Sequence, residues 1–269
     1  MPLAPSMPHR LLIVCLLGLL AAPVAAAPRI TSEKVTGSAQ QVRQAALMGS
    51  AEAQYNLGVM YYNGDSVVRN RQKAAEWFTR AANQGMAKAQ YNLGALYASG
   101  IGVKRDPKVA STWFRIASEQ NYAPALYALG MAYFDGNGVP QDHAEAADLV
   151  SRAAEIGSAA AQNNLGLMYD KGLGVRQNKR KAAEWYEKAA GQGMAEAQFN
   201  LAQMYYLGEG VFRSRSKAAM WMTRAADQGY GKAMRSLGDM YMNGDGVPQD
   251  STKARELYLR AGAASAGDN

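Results

Sequence analysis

The chain has 269 residues, of which 48% are hydrophobic and 19% charged, and its mean hydropathy is −0.28. This composition is sufficient for a packed core and too polar for a protein that crosses a membrane several times. The single cysteine excludes an internal disulfide and a cysteine-based zinc site, and two histidines exclude most histidine-dependent chemistry. Lys and Arg outnumber Asp and Glu by 29 to 22, a net charge of +7.

The first 26 residues have the pattern of a secretory signal peptide. His9 and Arg10 precede an apolar run of twelve residues, and small residues follow it. A bilayer core needs about 20 apolar residues, so we expect cleavage rather than anchoring. Val24 and Ala26 favour a cut after Ala26. The mature protein would then contain no cysteine, which suits an oxidising compartment. We expect it to be periplasmic or secreted, with no transmembrane span.

From Gly49 to Ala264 the chain repeats one pattern six times with a spacing of 36 residues. A leucine is followed by glycine in five copies and by Ala202 in the other, and a tyrosine stands three residues further on in all six. The six units are residues 49–84, 85–120, 121–156, 157–192, 193–228 and 229–264.

Each unit is predicted to form two helices. In the first, Ala53, Leu57 and Tyr61 recur every four residues as an apolar stripe, and Gly64 ends the helix. The second helix begins at a side chain that can cap it. These caps are Asn70, Asp106, Asp142, Asn178, Ser214 and Asp250. Glycine at Gly58 and its equivalents predicts a close helix crossing. Because one pair cannot bury its own stripe, we expect an all-α, right-handed solenoid of stacked pairs.

The residues resemble the Sel-one-like repeats, relatives of the tetratricopeptide repeats. The resemblance rests on AEAQYNLGVMYYNGDSV at 51–67 and KAAEWFTRAA at 73–82, and it extends over all six units. It identifies the chain as an exported bacterial member and implies scaffold or adaptor work without a common catalytic residue. One exported, cysteine-rich branch is linked to β-lactamase activity. The repeats here have no cysteine, so that activity does not transfer readily.

The ends of the chain are predicted to cap the solenoid. Residues 27–48 are predicted to form a linker and one helix equivalent to the second helix of a repeat, because Ala45 and Ala46 are in phase with Ala81 and Ala82. The sixth unit is more polar than the others, as a terminal repeat should be. Residues 265–269 are predicted to be a disordered tail.

Two columns on the first helices are candidate binding residues on the concave face. The aromatic column contains Tyr55, Tyr62, Tyr91, Tyr127, Phe134, Phe199 and Tyr206. It either packs against the neighbouring repeat or forms a groove for a peptide or helix. The amide column contains Asn56, Asn92, Asn164 and Asn200. It either bridges neighbouring helices or holds a peptide backbone.

A third candidate is a basic edge at the loops between helices. It contains Arg69, Arg71, Lys104, Arg105, Arg176, Lys179, Arg180, Arg213 and Arg215. Each cation at the start of a helix interacts unfavourably with the helix dipole by about 0.3–1 kcal/mol, so helix stability does not explain these residues. The edge is either simply solvated or a contact for an anionic protein, cell-wall polymer or lipid surface. Export argues against nucleic acid.

Catalysis, metal binding and a cofactor are not expected. His143 stands alone as a solvated residue, and Ser214 with Lys217 matches Ser-x-x-Lys without the other motifs of penicillin-recognising enzymes. The sequence therefore favours an exported, non-enzymatic scaffold with a protein partner on its concave face, and a regulatory role is one form that this work could take. The alternatives are a β-lactamase-like hydrolase and a direct binder of anionic cell-wall polymer.

Overall fold

The computed structural model describes residues 38–267, and all regular secondary structure in this range is helical. The helices are α1 (Ala39–Leu47), α2 (Ala51–Asn63), α3 (Arg71–Asn83), α4 (Ala87–Ser99), α5 (Pro107–Glu119), α6 (Ala123–Asp135), α7 (His143–Glu155), α8 (Ala159–Lys171), α9 (Lys179–Gly191), α10 (Ala195–Leu207), α11 (Arg215–Asp227), α12 (Gly231–Asn243) and α13 (Ser251–Gly267). The predicted signal peptide and most of the predicted linker lie outside this range.

The helices form six pairs, from α2 with α3 to α12 with α13. Each first helix packs against the second helix of its own pair and against the second helix of the preceding pair. The additional helix α1 packs against α2 as a preceding second helix would. Its Val42 and Ala46 are buried against α2. The predicted all-helical stack of repeats is therefore confirmed.

The predicted helix ends are confirmed. Gly64 and its five equivalents end the first helices in the left-handed conformation, with φ between 67° and 88°. At the start of α3, Asn70 Oδ1 accepts a hydrogen bond from the backbone nitrogen of Lys73 at 2.9 Å. Asp250 caps α13 in the same way. The terminal glycine and the capping side chain both depend on the chemistry of a single residue, which is why these helix ends could be predicted without coordinates.

Glycine inside the first helices allows a ring of the second helix to pack against the backbone. A Cβ atom on Gly58 would lie 2.7 Å from the Phe78 ring, and one on Gly166 would lie 2.7 Å from the Tyr186 ring. In the fifth repeat, where alanine replaces this glycine, the ring is replaced by the flexible Met222. The close crossing that the glycines predicted is confirmed.

A buried glutamine joins three helices at each of several repeat boundaries. Gln54 Nε2 donates to the carbonyl oxygen of Ala46 at the end of α1, and Gln84 Nε2 donates to Gln54 Oε1 at 2.7 Å. The same two bonds recur in the second, fourth and fifth repeats. The third repeat has Leu126 and Ile156 at these two positions. We refer to these two glutamines as the glutamine link.

The predicted tail is wrong in part, because α13 continues through residues 265–267 to Gly267. The cause is local composition. The segment after Ala261 is rich in alanine, the best helix former, and contains no proline.

Replacing Gly166 with alanine should destabilise the protein by about 1–3 kcal/mol, because the new methyl group overlaps the Tyr186 ring. The matched control is Gly191→Ala, since a Cβ atom there meets nothing within 4 Å. That change should be neutral or stabilise α9 by up to about 1 kcal/mol. The measurement is the free energy of unfolding from a denaturant titration. Equal effects of the two substitutions would contradict the close crossing.

Candidate functional site

Four members of the aromatic column lie in the first half of their helices; Tyr127 is half-buried, and the other three are core residues. Tyr55 is 3% exposed, and Tyr91 and Phe199 are also buried. The Tyr55 ring centroid lies 5.8 Å from that of Phe78, and Phe199 lies 5.4 Å from Tyr230. Burial, together with nearby tyrosine hydroxyls, raises the pKa of Tyr91 to about 12. Of the two interpretations of the column, packing accounts for these three rings.

The amide column connects neighbouring first helices at two places. Asn164 Nδ2 donates to the hydroxyl oxygen of Tyr127 in the preceding repeat. Asn200 Nδ2 donates to Asn163 Oδ1, also in the preceding repeat, at 3.0 Å. Asn92 is fully buried, whereas the remaining member, Asn56, is half-buried. Bridging between helices therefore accounts for two of the four amides, Asn164 and Asn200. These two side chains still keep part of their surface exposed.

The later members of the aromatic column meet the basic edge. Tyr62 and Tyr206 are half-buried rings in the last turn of their helices, and the guanidinium carbons of Arg71 and Arg215 lie 5.9 and 5.8 Å from the respective ring centroids. In the third repeat Phe134 stacks on an imidazole, that of His143, at 4.8 Å. The sequence predicted two separate surfaces. Their members are nine residues apart along the chain, and this constant spacing was the signal that could have joined the two surfaces. Whether that spacing brings two side chains into contact depends on the geometry of the turn between them.

Two cations of the basic edge are neutralised within the protein. Lys179 Nζ contacts Asp170 Oδ1 at 2.6 Å and Glu209 Oε2, in the following repeat, at 2.7 Å. Arg215 contacts Asp245 of the following repeat at 2.6 Å. Burial opposes ionisation of Asp170, but the hydrogen bonds and charges of its lysine partners hold its pKa below the usual value. These cations stabilise contacts between successive repeats.

The other cations of the edge differ in how much of their charge is engaged. Arg105 and Arg213 each use Nε to bond a carbonyl oxygen at the end of the preceding first helix, at 3.1 and 3.2 Å. Arg180 lies 3.3 Å from Glu184 on the same helix. The exposed side chains of Arg69, Lys104 and Arg176 make no hydrogen bond or ion pair with any residue in 38–267. Part of the edge therefore has no structural role in the fold.

The candidate catalytic residues are engaged in structural contacts. Ser214 Oγ accepts a hydrogen bond from the backbone nitrogen of Lys217 at 3.3 Å and so caps α11. Lys217 Nζ lies 5.2 Å from the centroid of the Tyr205 ring rather than at the serine. Within the described range, no three His, Cys, Asp or Glu side chains come together as metal ligands. None of the helices in that range is both long and apolar enough to cross a bilayer.

These features define a helical-repeat protein with a surface formed by its loops and first helices. The chain belongs to the Sel1 repeat family, which matches residues 51–86, 87–122, 123–158, 159–194, 195–230 and 231–265. A Sel1 repeat protein from Oxalobacter formigenes is 33% identical in sequence, with a TM-score of 0.73, and the match covers 83% of this chain and 92% of that one. The resemblance seen in the sequence and the right-handed solenoid are confirmed.

Two further relatives are longer than this chain. A protective antigen present in uropathogenic Escherichia coli strains, which displays an SLR fold, is 32% identical with a TM-score of 0.72. That match covers 87% of this chain and 58% of the antigen. The putative sel1-like repeat-containing protein L18 of Acanthamoeba polyphaga mimivirus is 51% identical over 41 residues, which are 15% of this chain and 7% of the viral protein.

Replacing Lys179 with methionine should destabilise the protein by about 1–2 kcal/mol at neutral pH, because two carboxylates lose a charged partner. The loss should shrink as the pH falls below about 4, the usual pKa of an aspartate. Protonation of Asp170, whose folded pKa is lowered, removes the contribution of this pair even from the wild type.

The control for this substitution is Lys171→Met, which removes a more exposed partner of the same Asp170. It should cost about 0.5 kcal/mol or less. The measurement is the free energy of unfolding as a function of pH. A loss for Lys179→Met that stays constant down to pH values well below 4 would contradict the assigned pairing.

Proposed function

We propose that this protein is a non-enzymatic scaffold that binds a protein partner on the concave face of its solenoid. Sel1 repeat proteins are commonly protein-interaction scaffolds, which supports the general role. The observation that carries the finer proposal is a division within the first helices. Their apolar stripe, including Leu57 and Leu93, is buried. A neighbouring face keeps half-exposed rings and amides, including Tyr62, Asn56 and Asn200.

This half-exposed face has suitable chemistry for a peptide or helix. Aromatic rings offer contact area at little cost in conformational entropy, and a side-chain amide can donate to and accept from a peptide backbone. Asn164 and Asn200 each donate one hydrogen bond within the protein, which holds them in place and leaves further bonding capacity. Buried members of the columns, such as Tyr55, support this face from beneath rather than contact a partner.

We further propose that the protein acts outside the cytoplasm, in the periplasm or beyond it. The proposal rests on the basic start, the apolar run and the small residues before Ala27. A hydrolase is not proposed, because the only serine-lysine pair suggested by the sequence caps a helix.

Site-specific photocrosslinking in intact cells tests the partner face. Benzoylphenylalanine placed at Tyr62 or at Phe134 should crosslink to the same protein, because both rings are half-exposed on first helices. The matched control places it at Thr112 or Glu187, which are exposed on the second helices α5 and α9. Those positions should give no such product. Equal crosslinking from both helix types, or none from either first-helix position, would contradict the concave-face assignment.

A further inference from the structure

The loops that join the two helices of each repeat stack directly on one another. A Cβ atom on Gly102 would lie 2.3 Å from the carbonyl oxygen of Arg71, the first residue of the preceding second helix. Gly138, Gly174, Gly210 and Gly246 make the same approach in the later repeats. No side chain fits between successive loops, so they form one continuous surface along the solenoid. We call it the loop ridge, and it consists of residues 64–70, 100–106, 136–142, 172–178, 208–214 and 244–250.

Positive charge exceeds negative charge where the loop ridge meets the first turns of the second helices. The ridge itself holds five cations and six carboxylates, and residues 71–74 with their equivalents add nine cations and one carboxylate. The carboxylates of the ridge have internal partners: Asp106, Asp142 and Asp250 cap helices, and Glu209 and Asp245 pair with cations of the preceding repeat. Asp65 accepts a hydrogen bond from Asn63. In contrast, three cations of the ridge (Arg69, Lys104 and Arg176) have no partner within 38–267. The ridge together with these first turns therefore presents a surface that attracts anions.

The ridge also exposes apolar side chains at one defined position. The equivalent residues in the six repeats are Val68, Lys104, Pro140, Arg176, Phe212 and Pro248. Phe212 is 98% exposed and Val68 is 89% exposed, so neither contributes to the core. The same outermost position thus holds either an apolar residue or a cation. A fully exposed phenylalanine beside Arg213 has no explanation in the stability of the fold.

We propose that the loop ridge docks on the surface of an anionic lipid bilayer. Lys104 and Arg176 would lie at the level of the lipid phosphates, and Phe212 and Val68 would enter the interfacial region. Cations near an anionic leaflet are attracted to it, and apolar side chains beside them add burial at the headgroup boundary. A cell-wall polymer would use the cations but would give Phe212 no role, and an acidic protein would need an apolar pocket opposite this ring. This inference is independent of the proposed protein partner on the concave face.

Vesicle co-sedimentation tests the proposal with the purified mature protein. It should pellet with vesicles of phosphatidylcholine and phosphatidylglycerol at low salt, and not with vesicles of phosphatidylcholine alone. Each basic residue at an anionic surface contributes about fivefold to the partition coefficient, so Lys104→Gln with Arg176→Gln should lower it about 25-fold. Phe212→Ser should lower it about tenfold. All these side chains are exposed, so the variants should unfold at the same temperature as the wild type.

Matched controls come from the last repeat, away from the loop ridge. Leu259→Ser removes another exposed apolar side chain, and Lys232→Gln with Arg260→Gln removes two exposed charges. These variants should bind the vesicles within about threefold of the wild type. The proposal is overturned if the wild type does not bind anionic vesicles, or if the controls lose as much binding as the ridge variants. It is also overturned if lipid-free peptidoglycan sacculi bind the wild type and Phe212→Ser alike, which would assign the ridge to the polymer.

Discussion

The arrangement of the repeats depends on a buried side-chain amide that bonds to two neighbouring helices at once. Gln162 Nε2 donates to the carbonyl oxygen of Ala154 in the preceding repeat, and its Oε1 accepts from Gln192 at 2.8 Å. Gln192 Nε2 also lies 3.0 Å from the carbonyl oxygen of Gly157. An amide removed from water is costly unless both of its ends are bonded. The bonds hold only when the first helix is correctly placed against the second helices on both sides, so the glutamine link specifies the stacking at the four repeats that have it.

Once the stacking is specified, the positions of the exposed features follow. Successive loops come close enough for Gly174 to pack on the carbonyl oxygen of His143, and carboxylates such as Glu209 come within reach of cations one repeat earlier. The fold thus engages the first-helix stripe, the mid-helix glycines and a share of the surface charges. Residues that the fold does not engage, such as Arg176 and Phe212, are the ones that carry the proposed docking role of the loop ridge.

Residues whose conformation depends on local chemistry could be predicted from the sequence, whereas residues whose contacts cross repeats could not. The period of 36 residues, the cap at Asn70 and the crossing at Gly58 follow from local patterns. Tyr55 and Tyr62 lie on the same side of α2 by helical spacing, yet one is buried and the other is half-exposed. Tyr55 packs on Phe78 of α3, whereas Tyr62 lies in the last turn of α2 beside Arg71, and only the folded packing distinguishes the two positions. For the same reason, the glutamine link was not predicted, since an isolated glutamine is equally compatible with solvent.

A double-mutant cycle on the glutamine link tests the central claim most directly. The third repeat shows that the solenoid tolerates Leu126 and Ile156 as a pair, so the cycle uses Gln162→Leu, Gln192→Ile and their combination. Gln162→Leu alone should destabilise the protein by about 1–2 kcal/mol, because it leaves the polar groups of its partners without their bonds. The two substitutions should be non-additive by at least about 0.5 kcal/mol in the free energy of unfolding. Additivity within about 0.3 kcal/mol would contradict the claim that this pair couples neighbouring repeats.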